Sequence, residues 1–154
     1  MTAKEFDGFA GFIEHLEGCV LSYNTLKKIT LESVGHHIED KAKAKIGILQ
    51  HEDGPYDAWE QLAEPTKTQK EKLGVVYNED YNPLFRHGEL RESIQHQLEP
   101  DTVTIGSEND IAVYQEEGTE DIPARPFLGP AMYEERAEIK AAIDNLLLTW
   151  ITGK

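Results

Sequence analysis

Apolar residues recur at helical spacing near the start of the chain. Five of them lie three or four residues apart, which predicts an amphipathic helix: Phe6, Phe9, Ile13, Leu16 and Val20. Gly18 and the polar run Ser22-Tyr23-Asn24 are expected to break or bend this helix. The first helix is therefore predicted to be separate from the element that follows.

A second and stronger stripe places an apolar or small residue at every fourth position: Leu26, Thr30, Val34, Ile38, Ala42 and Ile46. It predicts a helix of about two dozen residues, roughly 36 Å long at 1.5 Å per residue. Gly47 and the sequence HEDGP are expected to end it. A third stripe predicts a C-terminal helix: Ile139, Ile143, Leu146, Leu147, Trp150 and Ile151. Pro130 is placed at the first position of that helix, where proline is tolerated.

Residues 51–89 lack a sustained period and contain several glycines and prolines, which predicts a long loop. Short helical turns are expected near Trp59-Leu62 and Thr66-Lys72, with Trp59 and Leu62 docking part of the loop on the body. Apolar and polar residues then alternate in ESIQHQLEPDTVTIGSE, which predicts a hairpin that turns at Glu99-Pro100-Asp101. The sequence DIAVYQEEGT is expected to form a short strand or a helical turn.

This order of elements predicts an α+β fold, in which a small antiparallel β-sheet packs against long N-terminal and C-terminal α-helices. The chain has 154 residues, which fits a single domain spanning 1–154. It contains one cysteine, so no intrachain disulfide can form, which fits a reducing compartment. No signal peptide and no membrane span are expected from the pattern.

The formal net charge is −14, from 29 acidic residues against 15 Lys plus Arg. Such a surface disfavours direct binding to nucleic-acid phosphates. It is interpreted as a solubilising surface, and binding to partners with basic patches is the alternative. The acidic pairs Glu116-Glu117 and Glu134-Glu135 are interpreted as solvated faces. Cys19 is interpreted as a small buried apolar residue rather than a nucleophile.

Motifs that carry chemistry are scarce. His36-His37 is the one adjacent histidine pair, but neighbours on a helix point about 100° apart, so a shared metal ion is not expected. No metal, phosphate-loop or nucleophile-elbow spacing is present, and no cofactor is predicted. Asp101, Glu138 and Lys140 resemble the acids and lysine of a magnesium-dependent nuclease. However, Glu138 and Lys140 fall within the C-terminal helical stripe instead of on adjacent strands.

The most unusual stretch is GTEDIPARPFLGP, residues 118–130. Its prolines fix the backbone and bias the preceding residues towards extended geometry, which predicts a pre-ordered arm. Arg125, Phe127 and Leu128 are the residue types that anchor interfaces. Two interpretations remain open: the segment binds another subunit, or it is a connector whose Phe127 fills its own core.

GELRESI, then AVYQEEGTEDIPARPFLGPAM, then an amphipathic C-terminal helix resemble the tail-completion or head–tail joining proteins of long-tailed bacteriophages. AWEQLAEPTKTQK is similar to a stretch of the related virion-morphogenesis group, and the resemblance covers roughly residues 55 to 135. The chain departs from the family pattern at His87, where a threonine is usual, and at Glu117, where an aromatic residue is frequent.

The resemblance implies a non-enzymatic virion protein that completes the tail and joins it to the head. It implies a homo-oligomer, often a hexameric ring at the head-proximal end of the tail tube, with tail-tube and head-connector proteins as partners. The protein would be located in the virion tail, and in the host cytoplasm during assembly. The predicted assembly interface consists of Gly118, Thr119, Pro123, Arg125, Pro126, Phe127 and Leu128. An acidic DNA-mimic or inhibitor-type binding protein is the main alternative, and a metal-dependent nuclease is a third.

Overall fold

The computed structural model describes residues 6–152 of the chain, with side chains described as far as Trp150. The expectations for residues 1–5, for the side chain of Ile151 and for the last two residues lie outside that part. The elements are α1 (Gly8–Lys45), α2 (Glu64–Leu73), α3 (Glu89–Ser93), β1 (Ile94–Leu98), β2 (Val103–Ser107), α4 (Asp110–Glu117) and α5 (Leu128–Thr152). The predicted α+β fold is confirmed.

Residues 8–45 form one continuous helix, α1, so the predicted break into two helices is wrong. The hydroxyl of Ser22 donates to the carbonyl of Cys19 at 2.9 Å, and that of Thr25 donates to Leu21 at 3.0 Å. These polar side chains are therefore satisfied on the helix itself and do not end it. Gly18 costs about 1 kcal/mol relative to alanine, which a helix that propagates cooperatively over 38 residues can absorb.

The C-terminal end of α1 lies where the sequence predicts it. Gly47 adopts φ 96°, in the left-handed region that glycine tolerates. Its N–H donates to the carbonyl of Pro83 at 2.8 Å, and its own carbonyl accepts from the Asn78 side chain at 2.7 Å. These hydrogen bonds hold the end of α1 against residues 78–83, which lie near the C-terminal end of the 51–89 segment.

The 51–89 segment is more ordered than the predicted loop. The helical turn predicted at Thr66-Lys72 is confirmed and extends to the whole of α2, which has Pro65 in its first turn and Gly74 in the left-handed conformation at its end. The turn predicted at Trp59-Leu62 is not helical. Trp59 and Leu62 are nevertheless buried, as expected for residues that dock this segment on the body.

The predicted hairpin is confirmed as an antiparallel pair in which Leu98 faces Val103 and Ile94 faces Ser107. It packs across the middle of α1 at Gly35, where a Cβ atom would lie 2.6 Å from Val103 Cγ2 and 2.9 Å from His96 Cδ2. Glycine at this position therefore permits the close approach of helix and sheet. DIAVYQEEGT resolves to the helical alternative, as α4.

The core gathers residues from nearly every element: Ile38, Ala42, Ile46, Trp59, Leu90, Ile94, Ala112, Phe127 and Ala131. Helix α5 runs antiparallel to α1, since its start lies near the end of α1 and Trp150 lies near Cys19. It begins at Leu128, two residues before the predicted start at Pro130. The buried residues of α1 thus begin at Gly35, and the first turns of α1, which carry the exposed Phe9, Leu16 and Val20, lie outside the core.

Candidate assembly site

The proline segment 118–130 is braced against the rest of the chain. Gly118 has φ 76°, and a Cβ there would lie 2.8 Å from the backbone nitrogen of Ala124. The Thr119 hydroxyl accepts from the N–H groups of Asp121 and Ile122 at 3.3 and 3.1 Å. Gly118 and Thr119 therefore form the tight turn expected of them, and this turn sets the direction of the following residues.

The residues after the turn are held by the backbone and by distant side chains. The Arg125 N–H donates to the Gln115 carbonyl at 2.6 Å, and the Trp59 indole N–H donates to the Pro126 carbonyl at 3.1 Å. Phe127 has no exposed surface and is among the largest fully buried side chains of the described residues. The segment is thus packed against its own chain. Within that chain, Phe127 fills the core, as one of the two interpretations states.

Glu116 caps the start of α5. One carboxylate oxygen accepts from the N–H groups of Phe127 and Leu128 at 2.7 and 3.0 Å, and the other accepts from Gly129 at 2.8 Å. A carboxylate is favourable here because the first N–H groups of a helix have no intrahelical partner and carry partial positive charge. The interpretation of Glu116 as a solvated residue is wrong, and no local pattern marks a capping residue eleven positions upstream.

The predicted interface residues differ in exposure. Arg125 and Phe127 are buried, Gly118, Pro123, Pro126 and Leu128 are partly buried, and Thr119 is exposed. The structure thus leaves Pro123, Pro126, Leu128 and Thr119 with surface that a partner could contact. The intersubunit role of the set stays a prediction.

A cavity of about 450 Å³ lies beside this segment. Its walls come from 60–63, Thr66, Lys70, 84–86, Gln115, 121–123 and Arg125. Three of its lining side chains are cationic: Lys70, Arg86 and Arg125. None of the three forms an ion pair with a described residue.

The cations of this cavity are held by neutral partners. Lys70 Nζ donates to the carbonyls of Asn82 and Phe85 at 2.8 and 2.6 Å, and Arg125 donates to the Glu60 carbonyl at 3.2 Å. Burial lowers the pKa of Lys70 and that of Arg125 below their ordinary values. The buried Nε of Arg125 and Oε1 of Gln115 have no hydrogen-bond partner. Both atoms belong to residues that line the cavity, although the atoms themselves are buried.

Histidine–carboxylate contacts join α1 to the hairpin and to α5. His96 Nδ1 lies 2.5 Å from a carboxylate oxygen of Glu39, which also accepts from the His96 N–H at 3.0 Å. Burial raises the pKa of Glu39, but hydrogen bonds from Lys43 and His96 outweigh it and hold that pKa at about 2. The hydrogen bond to Glu39 raises the pKa of His96. The pair is an ionic contact between helix and hairpin when His96 is protonated.

A second histidine contact joins α1 to α5. His37 Nε2 lies 2.8 Å from Glu135, and Lys41 Nζ lies 2.9 Å from the same carboxylate. Glu135 is buried, so its interpretation as a solvated residue is wrong, and the hydrogen bond from Lys41 lowers its pKa. His36 faces the hairpin instead, with its ring 6.1 Å from that of His96. As predicted, the adjacent histidines point to different neighbours.

Two three-residue sets have spacing that a metal ion could use: His36, Glu39 and His96, and His37, Glu135 and Glu138. In the first set Glu39 and His96 pair with each other and His36 pairs with Asp40. In the second set His37 pairs with both carboxylates. The acids and lysine of the nuclease hypothesis have three different partners: Lys27 for Asp101, His37 for Glu138 and Asp144 for Lys140.

Cys19, expected to be buried, is partly exposed, and its Sγ lies 3.7 Å from His15 Nε2.

The N-terminal part of α1 and the C-terminal part of α5 form a projection, here called the arm, which comprises residues 8–24 and 143–150. Trp150 joins its two helices, since its indole N–H donates to the Cys19 carbonyl at 2.9 Å and its ring lies 5.2 Å from that of Tyr23. Large apolar side chains on the arm are exposed: Phe9 by 77%, Ile13 by 41%, Leu16 by 46% and Val20 by 56%. The predicted amphipathic stripe is therefore real, but it does not reach the core.

Within residues 6–152, no helix combines the length and the apolar character that a membrane crossing requires. Comparisons with known proteins found no relative of this chain. No family model matches the chain, and neither a curated protein nor a solved structure resembles it significantly.

Proposed function

We propose that this protein is a structural component of a phage or prophage tail, which completes the tail and joins it to the head as a ring of identical subunits. The observation that carries the proposal is the apolar stripe of the arm. Phe9, Ile13, Leu16 and Val20 repeat with gaps of four, three and four residues, the spacing of a helix that packs lengthwise against a partner. A contiguous apolar surface on a soluble protein marks an interaction site.

The rest of the fold supports an assembly role. The arm projects from a body in which the proline segment is locked by Glu116, Gln115 and Trp59. A braced body and a preformed helix lose little conformational entropy on docking. The sequence resemblance to tail-completion proteins points to the same kind of protein, and the proposed role requires no bond to be made or broken. Its proposed partners are further copies of itself, the tail tube and the head connector.

Deletion of the gene from the phage or prophage that encodes it tests this function. The proposal predicts filled heads and complete tail tubes that remain unjoined, visible by electron microscopy, and recovery of joined particles when the gene is supplied in trans. Normal joined particles after deletion would refute it. Loss of heads, or loss of tail tubes, would also refute it, because either result places the protein at another step.

The acidic-inhibitor alternative makes a different prediction. A DNA mimic with a net charge of −14 would capture a DNA-binding protein from the host, and added duplex DNA would compete with that capture. The assembly proposal predicts that the captured proteins are virion components and that DNA does not displace them.

A further inference from the structure

The cavity beside the proline segment has features of a binding site. Its volume of about 450 Å³ lies within the range of protein pockets that take a ligand side chain or small molecule. Its walls combine apolar surface with three cations: Leu62, Leu84, Phe85, Ile122 and Pro123 on the one hand, and Lys70, Arg86 and Arg125 on the other. Two acids, Glu60 and Asp121, also line it, but neither forms an ion pair with these cations.

Unpaired cations are unexpected in this chain. The protein carries 29 acidic residues against 15 Lys plus Arg, so an intramolecular carboxylate partner would be easy to supply. Arg125 is only 6% exposed, and its Nε has no partner. Glu60 lies near enough to raise the pKa of Arg125 but forms no ion pair with its guanidinium, so a carboxylate from a partner would add a direct charge partner at the cavity.

The backbone next to the cavity is strained. Tyr81, Asn82 and Leu84 have φ of 57°, 50° and 62°, in the left-handed region that non-glycine residues rarely adopt. Lys70 holds this turn by binding two of its carbonyls. Backbone strain of this kind clusters at binding sites, where the surrounding structure maintains it.

The arm has the complementary character. Its α1 part, residues 8–24, contains no lysine and no arginine, but it contains Glu14 and Glu17 beside the exposed apolar stripe. Two arms placed side by side would bring like charges together, which disfavours their association with each other. The arm instead suits a surface that is apolar and cationic, which is the character of the cavity.

The arm and the cavity cannot meet within one molecule. The cavity residues Leu84 and Phe85 follow directly on Pro83, which binds Gly47 just after the C-terminal end of α1. Ile13 and Gly47 are separated by 34 residues, or about 50 Å along a helix. A contact between them therefore joins two copies of the chain.

We infer that the α1 arm of one subunit docks in the cavity of the next, with Phe9 and its apolar neighbours against the cavity wall and the arm carboxylates on Arg86 and Lys70. The contact joins two different surfaces, so it repeats head to tail and closes into a ring when the rotation between subunits permits. This contact assumes the proposed assembly function and adds to it the two surfaces that form the ring.

Two variants test the arm and the cavity separately. Phe9→Asp places a charge on the arm, and Arg86→Glu reverses a charge at the cavity, and both residues are exposed, so both variants are expected to fold. Met132→Asp, at an exposed residue on α5 outside both surfaces, is the matched control. Native mass spectrometry and sedimentation of the full chain, with urea midpoints to verify folding, give the readout.

The wild type and Met132→Asp are expected to form the same oligomer, and each of the other two variants is expected to weaken self-association at least tenfold. A mixture of Phe9→Asp and Arg86→Glu should form a one-to-one dimer that does not grow, because it holds one intact arm and one intact cavity. A wild type that stays monomeric up to about 100 µM, an Arg86→Glu variant that assembles like the wild type, or a mixture without the dimer would overturn the contact. If the monomeric protein still restores head–tail joining, the assembly function stands and the arm–cavity contact is wrong.

Discussion

Removal of the Glu116 carboxylate tests how the start of α5 is held. Glu116→Ala leaves three N–H groups, of Phe127, Leu128 and Gly129, without their acceptor. Loss of a helix cap costs about 1 kcal/mol and up to about 2, and the lost charge at the helix N-terminus adds about 0.3–1 kcal/mol. Because Phe127 is fully buried and water cannot replace its acceptor, we expect a total near 3 kcal/mol.

Urea unfolding followed by circular dichroism measures this change in the free energy of unfolding. In a thermal melt of a chain of this size, 3 kcal/mol corresponds to a melting temperature lower by about 6–12 °C. Glu116→Gln keeps one acceptor oxygen and loses the charge, so it should fall about midway between the wild type and Glu116→Ala. Glu117→Ala, at the exposed neighbouring position, should change the free energy of unfolding by less than about 0.5 kcal/mol. If Glu116→Ala and Glu117→Ala agree within that margin, the capping role is wrong.

Three further predictions concern the body of the fold. Phe127→Ala should lower the free energy of unfolding by about 3–5 kcal/mol, since the ring is fully buried in the core, and a melting temperature within 2 °C of the wild type would contradict this. Gly35→Val should separate the hairpin from α1 and cost about 1–3 kcal/mol or more by overpacking, whereas Gly106→Val, where a Cβ meets nothing within 4 Å, should cost less; equal urea midpoints for the two would refute the packing explanation. The Glu39–His96 pair should make stability depend on pH. The lowered pKa of Glu39 contributes stability above pH 4.5 that is lost as the pH falls towards 2. The raised pKa of His96 contributes stability below pH 6.5 that is lost as the pH rises through that pKa. The contribution of the pair is therefore largest between pH 4.5 and 6.5, and Glu39→Gln should reduce the difference in urea midpoint between pH 5.5 and pH 9; an unchanged difference would show that another group is responsible.

Local patterns in the sequence were enough to predict the α+β fold. The alternation around Glu99-Pro100-Asp101 predicts the hairpin, and the four-residue repeat from Leu26 to Ile46 predicts the core-facing half of α1, because both depend on periodicity within one segment. The continuity of α1 through Ser22 was not predictable in this way. Its hydroxyl could equally have bonded to the backbone of a turn.

The contacts that hold the candidate site depend on partners distant in sequence. Glu116 and Glu135 resemble solvated acids locally, but the first binds N–H groups of α5 and the second binds His37 and Lys41 across helices. Phe127 carried two open interpretations, because proline geometry and an aromatic side chain suit a core contact and an interface equally well. The exposure of the arm also lies beyond the sequence pattern, since a helical stripe specifies a face and does not specify what covers it.

The most direct test of the account is a joining assay. Filled heads and tails prepared from a phage that lacks the protein are mixed with the purified wild-type chain, and infectious particles are counted. We expect the wild type to restore joining and folded Phe9→Asp protein to restore at least tenfold fewer particles, while Met132→Asp acts like the wild type. A wild-type chain that restores no particles, or a Phe9→Asp chain as effective as the wild type, would contradict the account.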